Sequence, residues 1–282
     1  MKIARTSVRP RVAFQGELGA FSHEAVRKLL GDRVSVLPCP SFSDVFAALK
    51  KGRATHAVIP IENTLHGSIL ENYDHLLKHK FHITGETSVR ISHQLIALPG
   101  VHFRSVKRVF SHPVALNQCR TFFETHPHLE AVPYYDTAGS VKMLKQEGLR
   151  DAAAIASQGA AEIYQCVILR RNIEDDRQNF TRFFLLSKQA LKPTRSGPGW
   201  KTSIVFSTPN VPGALFRAMA CFALRDLNLS KIESRPLRGR PWEYLFYVDL
   251  LGSTHDKTVQ SALANLSELA PMVRVLGSYQ SQ

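Results

Sequence analysis

The chain has 282 residues, of which 44% are hydrophobic, and this suffices to bury a full core in one large domain or in two. Its formal net charge of +13 would suit a nucleic acid, a membrane surface or a small dianionic substrate, and charge alone does not choose between them. Because the lysines and arginines are scattered and no recognised motif interleaves them with aromatic residues, we expect no nucleic-acid partner.

The sequence also argues against membrane, secreted and metal-binding proteins. No window approaches the roughly 18 apolar residues of a membrane helix, and the apolar run at residues 12–14 is too short for a signal-peptide core. We therefore expect a cytoplasmic protein with no membrane partner. The four cysteines show no zinc-ligand spacing and the histidines around His79 lie among lysines, so we expect buried thiols and no metal site.

The first predicted elements alternate between strand and helix. A strand over residues 11–14 leads into a glycine-containing turn, after which Ser22 is expected to cap a helix with Glu24 in its first turn. A second amphipathic helix is expected to begin at the Ser43 cap and to end at Gly52, where a left-handed C-cap favours glycine. This alternation is typical of βαβ units.

A group of polar residues follows the next apolar strand, residues 56–61. Glu62, Asn63 and Thr64 lie at the carboxyl end of this strand, before a helix expected over residues 67–78. In open α/β sheets, ligands bind where strands end and helix N-termini present free amides. The three polar residues therefore either contribute to a binding site or only cap the helix, and the local pattern leaves both interpretations open.

The same alternation continues to residue 170. Strands are predicted over residues 93–98, 107–110, 129–134, 152–156 and 167–169, with helices after residues 111–113, after Asp136 with Thr137 as the cap, and over residues 158–164. Because the alternation of strand and helix occurs twice, with a break near residues 86–91, it predicts two α/β lobes. A strand over residues 181–186 is expected to return between the lobes, and the cleft between them is the expected site.

Residues 179–184 place a hydroxyl and a guanidinium between aromatic rings, at the entrance of this last strand. Thr181 and Arg182 could meet an anionic substrate there. The same pattern would also suit a cap or turn that leads into a core strand. Composition alone does not separate a substrate site from a structural turn.

The C-terminal part predicts a separate module. Residues 191–199 are rich in Pro, Gly and Ser and predict a linker between a domain over residues 1–190 and another over residues 200–282. The second domain shows a βαββαβ pattern, which predicts a ferredoxin-like fold. Its strands are predicted over residues 202–206, 229–233, 243–251 and 273–276, and its helices over residues 212–224 and 257–269.

Several motifs resemble those of the prephenate dehydratase family, in the family's order, over about residues 11–280. Asn-x-Thr-Arg-Phe at residues 179–183 resembles the family signature, and Pro-Ile-Glu-Asn-Thr at residues 60–64, followed by Gly-Ser at residues 67–68, resembles a second motif. The stretch over residues 15–22 resembles the family's opening Gln-Gly-x-x-Gly-x-x-Ser. The resemblance implies an α/β catalytic domain with two lobes, similar to periplasmic binding proteins, joined to a ferredoxin-like ACT regulatory domain.

The resemblance implies an enzyme that converts prephenate into phenylpyruvate by losing the ring hydroxyl and carbon dioxide, with no cofactor because aromatisation drives the reaction. The family's signature threonine is taken as essential, so Thr181 is expected to act in catalysis with Glu62 and Asn63, and Glu62 is the candidate proton source. Arg182 is expected to bind the side-chain carboxylate rather than the carboxylate that leaves. The other residues expected to line the cleft are Ser111, Gln118, Asp136, Asn179 and Phe183.

Two motifs in the second domain resemble the effector-binding motifs of ACT domains on phenylalanine-regulated dehydratases. Gly213 would let backbone amides approach a carboxylate, and Glu233 could meet an ammonium group, although a plain loop and strand end would show the same local pattern. The resemblance implies feedback inhibition by L-phenylalanine and a homodimer or homotetramer. The motif residues are Asn210, Gly213, Ala214, Leu215, Glu233, Ser234 and Arg235.

Three alternatives remain at the level of sequence. Arogenate carries an amino group where prephenate carries a keto group, and residues 136–141 are the candidate discriminators. A solute-binding receptor is the main rival from another class, because two-lobed folds more often bind than catalyse; the Thr181 and Arg182 pair and the expected lack of a signal peptide oppose it. A nucleic-acid-binding regulator would need a helix-turn-helix segment, and the sequence predicts none.

Overall fold

The computed structural model describes residues 10–191, 199–237 and 242–281. The described residues form two compact units. Unit 1 contains the chain up to His75 together with Thr87–Phe183, and unit 2 contains Leu76–Glu86 together with the chain from Phe184 onward. Most of the predicted linker lies outside the described residues, so the domain boundary at residues 191–199 stays a prediction.

The first lobe of unit 1 is built around a sheet with the strand order β2-β1-β3-β11-β5, in which β4 also pairs with β3. Its strands are β1 (Arg11–Gln15), β2 (Ser35–Cys39), β3 (His56–Asn63), β4 (Gly67–Ser68), β5 (His82–Arg90) and β11 (Phe180–Ser187). Its helices are α1 (Phe21–Leu30), α2 (Phe42–Lys50) and α3 (Leu70–Lys78). Along the chain, α3, β5 and β11 each begin in one unit and end in the other.

The second lobe has a sheet with the order β10-β6-β9-β7-β8. Its strands are β6 (Gln94–Ala97), β7 (Arg108–Ser111), β8 (Glu130–Pro133), β9 (Ala152–Ala156) and β10 (Val167–Arg170). Its helices are α4 (Pro113–Asn117), α5 (Arg120–Glu124), α6 (Thr137–Glu147) and α7 (Gln158–Tyr164), with a 3₁₀ turn at Phe103–Ser105. β9 is almost entirely alanine and fully buried, and such small side chains let the covering helices approach the sheet closely.

Two predicted helix caps are wrong by one or two positions. The cap of α2 is Ser41 rather than Ser43, and the cap of α6 is Asp136 rather than Thr137. Each true cap has extended backbone, and its side-chain oxygen accepts a hydrogen bond from the N–H three residues on, at 3.2 Å and 2.7 Å respectively. The predicted caps, Ser43 and Thr137, already lie within the helices, so their side-chain oxygens cannot reach that N–H group.

Two further helix starts differ from the prediction. Helix α1 begins one residue before Ser22, and its N-cap is Ala20, which has no capping side chain. Residues Gly67–Ser68 form the short strand β4 against the end of β3, so α3 begins only at Leu70. In the described part of the chain, no helix is long and apolar enough to cross a bilayer.

Unit 2 contains the predicted ferredoxin-like module, which confirms the fold class. Its elements are β12 (Trp200–Thr208), α8 (Ala214–Ala223), β13 (Leu229–Pro236), β14 (Tyr244–Leu251), α9 (Lys257–Leu269) and β15 (Met272–Gln280). The strands follow the order β13-β14-β12-β15, and all neighbours are antiparallel. Ile204, Phe206 and Phe222 lie at the centre of the core between this sheet and its two helices.

The segment Leu76–Glu86 is packed into unit 2 by polar and steric contacts. The Lys201 ammonium lies 2.6 Å from the Glu86 carboxylate, and both side chains are largely buried. The Arg274 guanidinium donates to carbonyl oxygens at the end of α3 and just beyond it. Gly277 lies so close to the Ile83 backbone that a methyl group at position 277 would overlap the Ile83 carbonyl. These contacts make a sequence-distant segment part of the C-terminal unit.

Candidate active site

A cavity of about 590 Å³ lies in unit 1 and is lined by residues of both lobes. Its apolar wall includes Phe21, Ile91 and Phe183. Its polar wall includes Asn63, His66, His93, His112, Gln118 and Thr181. A cavity of this size, mostly apolar with a few converging polar groups, is typical of a small-molecule site.

Asn63 and Thr181 form the centre of the polar wall. Asn63 Nδ2 donates to Thr181 Oγ1 at 3.0 Å and to Asn179 Oδ1 at 2.7 Å, and it lies 3.2 Å from the Phe180 carbonyl oxygen. Asn63 Oδ1 accepts from the backbone N–H groups of the two residues after Thr64, both at 3.0 Å. The amide orientation is therefore fixed from both ends.

This arrangement determines what the Thr181 hydroxyl can do. The Asn63 amide nitrogen is only a donor, so Thr181 Oγ1 must be the acceptor of that hydrogen bond. The hydroxyl proton of Thr181 is then free to donate to another atom. Thr181 is only 8% exposed, yet it lines the cavity, so a bound molecule is the natural acceptor.

The neighbouring strands β3 and β11 bring these residues together. Phe180 N–H donates to Thr64 Oγ1 at 2.9 Å, and Thr64 N–H donates to the Phe180 carbonyl at 2.9 Å. The same Thr64 hydroxyl donates to the Gln178 carbonyl at 2.9 Å. The polar residues after the apolar run of β3 thus bind the backbone that carries Thr181.

Glu62 and Arg182 do not line the cavity. Successive side chains of a strand point to opposite faces, so Asn63 and Thr181 on one face leave Glu62 and Arg182 on the other. There the two charged groups lie 3.9 Å apart, with side chains 38% and 14% exposed. This position does not support the predicted role of Glu62 as proton source or of Arg182 as a substrate ligand.

Ser111 and Asp136 also lie outside the cavity lining. The Ser111 hydroxyl is fully buried and donates to the Ile155 carbonyl at 2.7 Å, which ties β7 to β9. Asp136 caps α6; burial raises the pKa of its carboxyl group, and the hydrogen bond from Gly139 N–H partly opposes this rise. Both side chains support the second lobe rather than the cavity wall.

The other predicted residues lie in or directly behind the wall. Gln118 and Phe183 line the cavity. Asn179 is fully buried, and its Oδ1 accepts from Asn63, which places it behind Thr181 rather than in the wall itself. Three cavity histidines, His66, His93 and His112, were not predicted from the sequence, because no local pattern marks them as neighbours.

The N-terminal residues of three helices line the cavity, together with the carboxylate residue Glu71. The first residues of α1, α2 and α6, which are Phe21, Phe42 and Thr137, all line it. Among its described lining residues there is no lysine or arginine. Unpaired N–H groups and the helix dipole favour bound anions at such positions. The glycine-containing stretch before α1 and the prediction of Asp136 as a cleft residue pointed to two of these N-termini, whereas that of α2 was not expected there.

The loop between β1 and α1 is docked onto the second lobe. Glu17 accepts from the Tyr135 hydroxyl at 3.0 Å through one carboxylate oxygen, and its other oxygen lies 3.0 Å from the Lys142 ammonium. Burial, with a further contribution from the hydrogen bond to Glu17, raises the pKa of the Tyr135 hydroxyl above its usual value. Ser157 also donates to the Gly19 carbonyl. The loop thereby joins the two lobes beside the cavity.

Comparison with known proteins agrees with these features. The prephenate dehydratase family profile matches residues 12–191, which include both lobes and the Asn63 and Thr181 pair. The chain belongs to the prephenate dehydratase family. It is therefore an enzyme, a dehydratase of the carbon–oxygen lyase class.

Relatives of this dehydratase are known at moderate identity. Arogenate dehydratase/prephenate dehydratase 2 of Arabidopsis thaliana is 46% identical over 281 residues, covering 96% of this chain and 73% of that protein. The prephenate dehydratase of Arthrobacter aurescens, solved in complex with L-Phe, is 33% identical with a TM-score of 0.87 over 96% of this chain and 90% of that one. GqqA, described as a novel type of quorum quenching acylase, is 34% identical with a TM-score of 0.89 over 96% and 98% of the two chains.

The cytoplasmic location predicted from the sequence is wrong. Several relatives of this dehydratase from Arabidopsis thaliana, including the one at 46% identity, are named chloroplastic, and this finding contradicts the prediction. Composition could not have given this result, because compartment is set by targeting signals rather than by the folded domain.

The predicted effector residues of this dehydratase lie in unit 2. Gly213 has a φ of 74°, in the left-handed region, and is the N-cap of α8; Ala214 and Leu215 form the first turn. Glu233 and Arg235 lie on β13, at one end of the strand order of the sheet, with Ser234 between them on the opposite face. Asn210 is exposed in the loop before α8.

Proposed function

We propose that this dehydratase converts prephenate into phenylpyruvate and also accepts arogenate, which it would convert into phenylalanine. The observation that carries the proposal is the Thr181 hydroxyl, which accepts a hydrogen bond from Asn63 and so keeps its own proton for a ligand. It lies in a cavity that is lined by the first residues of three helices. The name of the relative at 46% identity, which includes both substrates, supports the second activity.

Binding must hold a molecule with two carboxylates without stabilising the one that leaves. The side-chain carboxylate, which is retained, is assigned to the N-termini of α1, α2 and α6, where a charge that does not change during the reaction is stabilised. The ring carboxylate loses its charge as carbon dioxide forms. We assign it to the apolar wall around Phe21, Ile91 and Phe183, because a drier environment favours loss of that charge.

The chemical step needs a donor to the ring hydroxyl. As the carbon–carbon bond to the carboxylate breaks, its electron pair enters the ring and the carbon–oxygen bond to the hydroxyl breaks, so the departing oxygen must gain a proton to leave as water. The Thr181 hydroxyl is placed to donate a hydrogen bond to that oxygen and to relay a proton to it, and the proton that completes the water molecule comes from solvent, so threonine ends the step protonated. A positioned donor of this kind contributes roughly 10²–10⁴-fold in rate, and aromatisation of the ring supplies the driving force.

Turnover of both substrates by one preparation tests the proposal. We expect phenylpyruvate from prephenate and phenylalanine from arogenate, each lost in the Thr181→Val variant. Substrate binding by calorimetry without turnover of either compound would instead indicate a two-lobed receptor and would overturn the enzymatic assignment. Turnover of prephenate alone would remove the arogenate activity from the proposal.

Regulation by L-phenylalanine through an ACT domain is a further part of the proposal. The effector would bind where Gly213 presents the N-terminus of α8, and Glu233 would meet its ammonium group. The L-Phe complex of the Arthrobacter aurescens relative supports this choice of effector. β13 stands at the end of its sheet, so a second copy pairing along it would give the homodimer, or a homotetramer, expected from the sequence.

A further inference from the structure

We propose that His93 is a positioning residue for the substrate: it holds the carbonyl of the Gln118 side chain, so that the Gln118 amide NH₂ is presented to a substrate oxygen. The inference deepens the proposed function and rests on it for the identity of the substrate. It adds to the Asn63 and Thr181 pair a second polar arm, contributed by the other lobe.

His93 is buried and is held by contacts of both its backbone and its ring. It is 1% exposed, and its backbone N–H donates to Glu174 Oε2 at 2.9 Å. Glu174 is itself buried and lies 2.6 Å from the Arg90 guanidinium. The His93 carbonyl accepts from the Ile173 N–H at 3.0 Å, and the Phe21 ring packs edge-on against the imidazole with centroids 5.6 Å apart. The backbone contacts hold the residue in place, and burial against Phe21 restricts the imidazole, whose Nε2 faces Gln118.

The hydrogen bonds of His93 determine its tautomer. Its Nε2 lies 2.8 Å from Gln118 Oε1, and an amide oxygen only accepts, so the proton of the ring must be on Nε2. Its Nδ1 is buried and has no partner among the described residues. A second proton there would be a donor without an acceptor. Burial lowers the pKa of His93, which is consistent with a neutral ring that donates in a single direction.

The opposite orientation of the Gln118 amide is less favourable. If its NH₂ faced His93, the ring would have to accept at Nε2 and carry its proton on Nδ1, which would be a buried N–H without an acceptor in the described part of the chain. Buried N–H groups without an acceptor are rare in folded proteins. The orientation that presents the amide NH₂ to the cavity avoids this cost.

The Gln118 amide NH₂ has two protons, of which His66 Nδ1 can accept at most one, so at least one is available to a ligand. The residue follows the last turn of α4, and its backbone carbonyl accepts from the Asp175 N–H at 2.8 Å. Its Nε2 lies 3.3 Å from His66 Nδ1, but that ring nitrogen also lies 3.2 Å from Asn63 Oδ1. One ring nitrogen cannot accept from the first group and donate to the second at once. A substrate oxygen can therefore accept the remaining proton of the Gln118 amide whichever of these two contacts His66 makes.

Variants that separate shape from hydrogen bonding test the inference. His93→Leu removes the donor and keeps a buried apolar side chain, and we expect kcat/KM to fall about tenfold or more, as for loss of one hydrogen bond. His93→Gln keeps a donor at the same reach and should recover most of this loss. In a Gln118→Leu background, His93→Leu should have no further effect, because His93 acts only through Gln118. His56→Leu, at a partly buried histidine outside the cavity lining, is the control and should retain wild-type kcat/KM.

Multiplicative losses in the double variant, or no recovery in His93→Gln with its fold intact by circular dichroism, would overturn the inference. A readout independent of catalysis is the ¹⁵N spectrum of histidine-labelled protein without substrate at neutral pH. We expect His93 as the Nε2–H tautomer, and an Nδ1–H tautomer would overturn the inference even in an active enzyme. An inactive wild-type protein with the Nε2–H tautomer would overturn the proposed function but not the orientation of Gln118.

Discussion

At the scale of single residues, the site depends on which atoms can donate. The Asn63 amide is oriented by two backbone N–H groups at its oxygen, so its nitrogen must face Thr181. The neighbouring Asn179 accepts from the same nitrogen and is fully buried. Three side chains of ordinary polarity thereby expose one proton in a chosen direction, without a group of unusual acidity.

Thr181→Val should abolish most turnover with little loss of stability. Valine has nearly the same shape, and Asn63 Nδ2 keeps Asn179 as an acceptor, so the fold should tolerate the change. We expect kcat to fall by roughly 10²–10⁴-fold, measured with prephenate, while the thermal midpoint changes little. Thr181→Ser, which keeps the hydroxyl, is the control; a Val variant within threefold of wild type would show that this hydroxyl is not the donor.

At the scale of elements, neighbouring strands and helix N-termini form the site, and a side chain caps the C-terminus of one helix. β3 and β11 carry Asn63 and Thr181, and α1, α2 and α6 direct their N-termini into the cavity. The C-terminal end of α3 belongs to unit 2, where the Arg274 guanidinium donates to the carbonyls of Leu76 at 3.2 Å and His79 at 2.8 Å. Carbonyls at a helix C-terminus lack partners within the helix, so this side chain acts as their cap.

Arg274→Met should destabilise the protein by about 1–3 kcal/mol, because it removes the donor and leaves several partly buried carbonyls without a partner. Urea unfolding followed by circular dichroism measures this difference. Arg274→Lys is the matched variant: its single ammonium cannot span carbonyls that the guanidinium reaches together, so it should recover only part of the loss. Equal urea midpoints for wild type and Arg274→Met would show that the contacts do not stabilise the fold.

At the scale of the whole molecule, histidines that are partly or fully buried couple stability to pH. Burial is the main cause that lowers the pKa of His23, His56, His82 and His93 below the ordinary value of 6.5. Above that value both the folded and unfolded chains are neutral at these sites and the stability is fully present. As the pH falls below it, the unfolded chain binds protons that the folded chain does not, so the free energy of unfolding decreases.

We therefore expect the urea concentration at the unfolding midpoint to decrease when the pH is lowered from 7.5 to 5.5, a range that includes the ordinary histidine pKa of 6.5. The fall should be smaller in His93→Gln, which removes one of the contributing groups and retains a donor to Gln118. Measurements at constant ionic strength isolate proton binding from screening. The same pH dependence in both proteins would show that His93 does not titrate differently on unfolding.

The proposed regulation by L-phenylalanine also belongs to the scale of the whole molecule, and two glycines allow a matched test. Gly213 and Gly148 have φ values of 74° and 66°, and a methyl group on either would meet no clash. Valine at either position should cost about 1–3 kcal/mol of backbone strain. Only Gly213→Val should remove inhibition by L-phenylalanine, measured as turnover against effector concentration. If both variants kept their response, the effector site at α8 would be wrong.

The sequence predicted the elements well and the directions of side chains less well. The bounds of α7 and α9 agree with prediction, because helical periodicity and caps are local. The roles of Glu62 and Arg182 are not supported, because β3 extends past its predicted end to include Glu62 and Asn63, and because Thr181 and Arg182 are neighbours within β11. Inside a strand, adjacent residues must face opposite ways, so a motif of neighbours cannot lie entirely in one cavity.

The parts of the site that could not be predicted depend on contacts between distant segments. Gln118 and His93 meet across 25 positions of sequence, and nothing local marks their pairing. The same holds for α2 and α6, whose N-termini reach the cavity only through the arrangement of the sheets. Resemblance to a family predicted Asn63, Thr181, Gln118 and Phe183. The other residues of the cavity wall were known only from the contacts in the folded chain.

The interrupted course of unit 2 bears on how such enzymes could have evolved. Because Leu76–Glu86 belongs with the C-terminal residues, a single gene fusion near residue 190 would have brought in a C-terminal module with no matching surface for that segment. The donor sequence would have needed a glycine where Gly277 meets Ile83, and a basic group opposite Glu86. Exchange of this module between lineages should therefore leave paired changes in both segments of the gene.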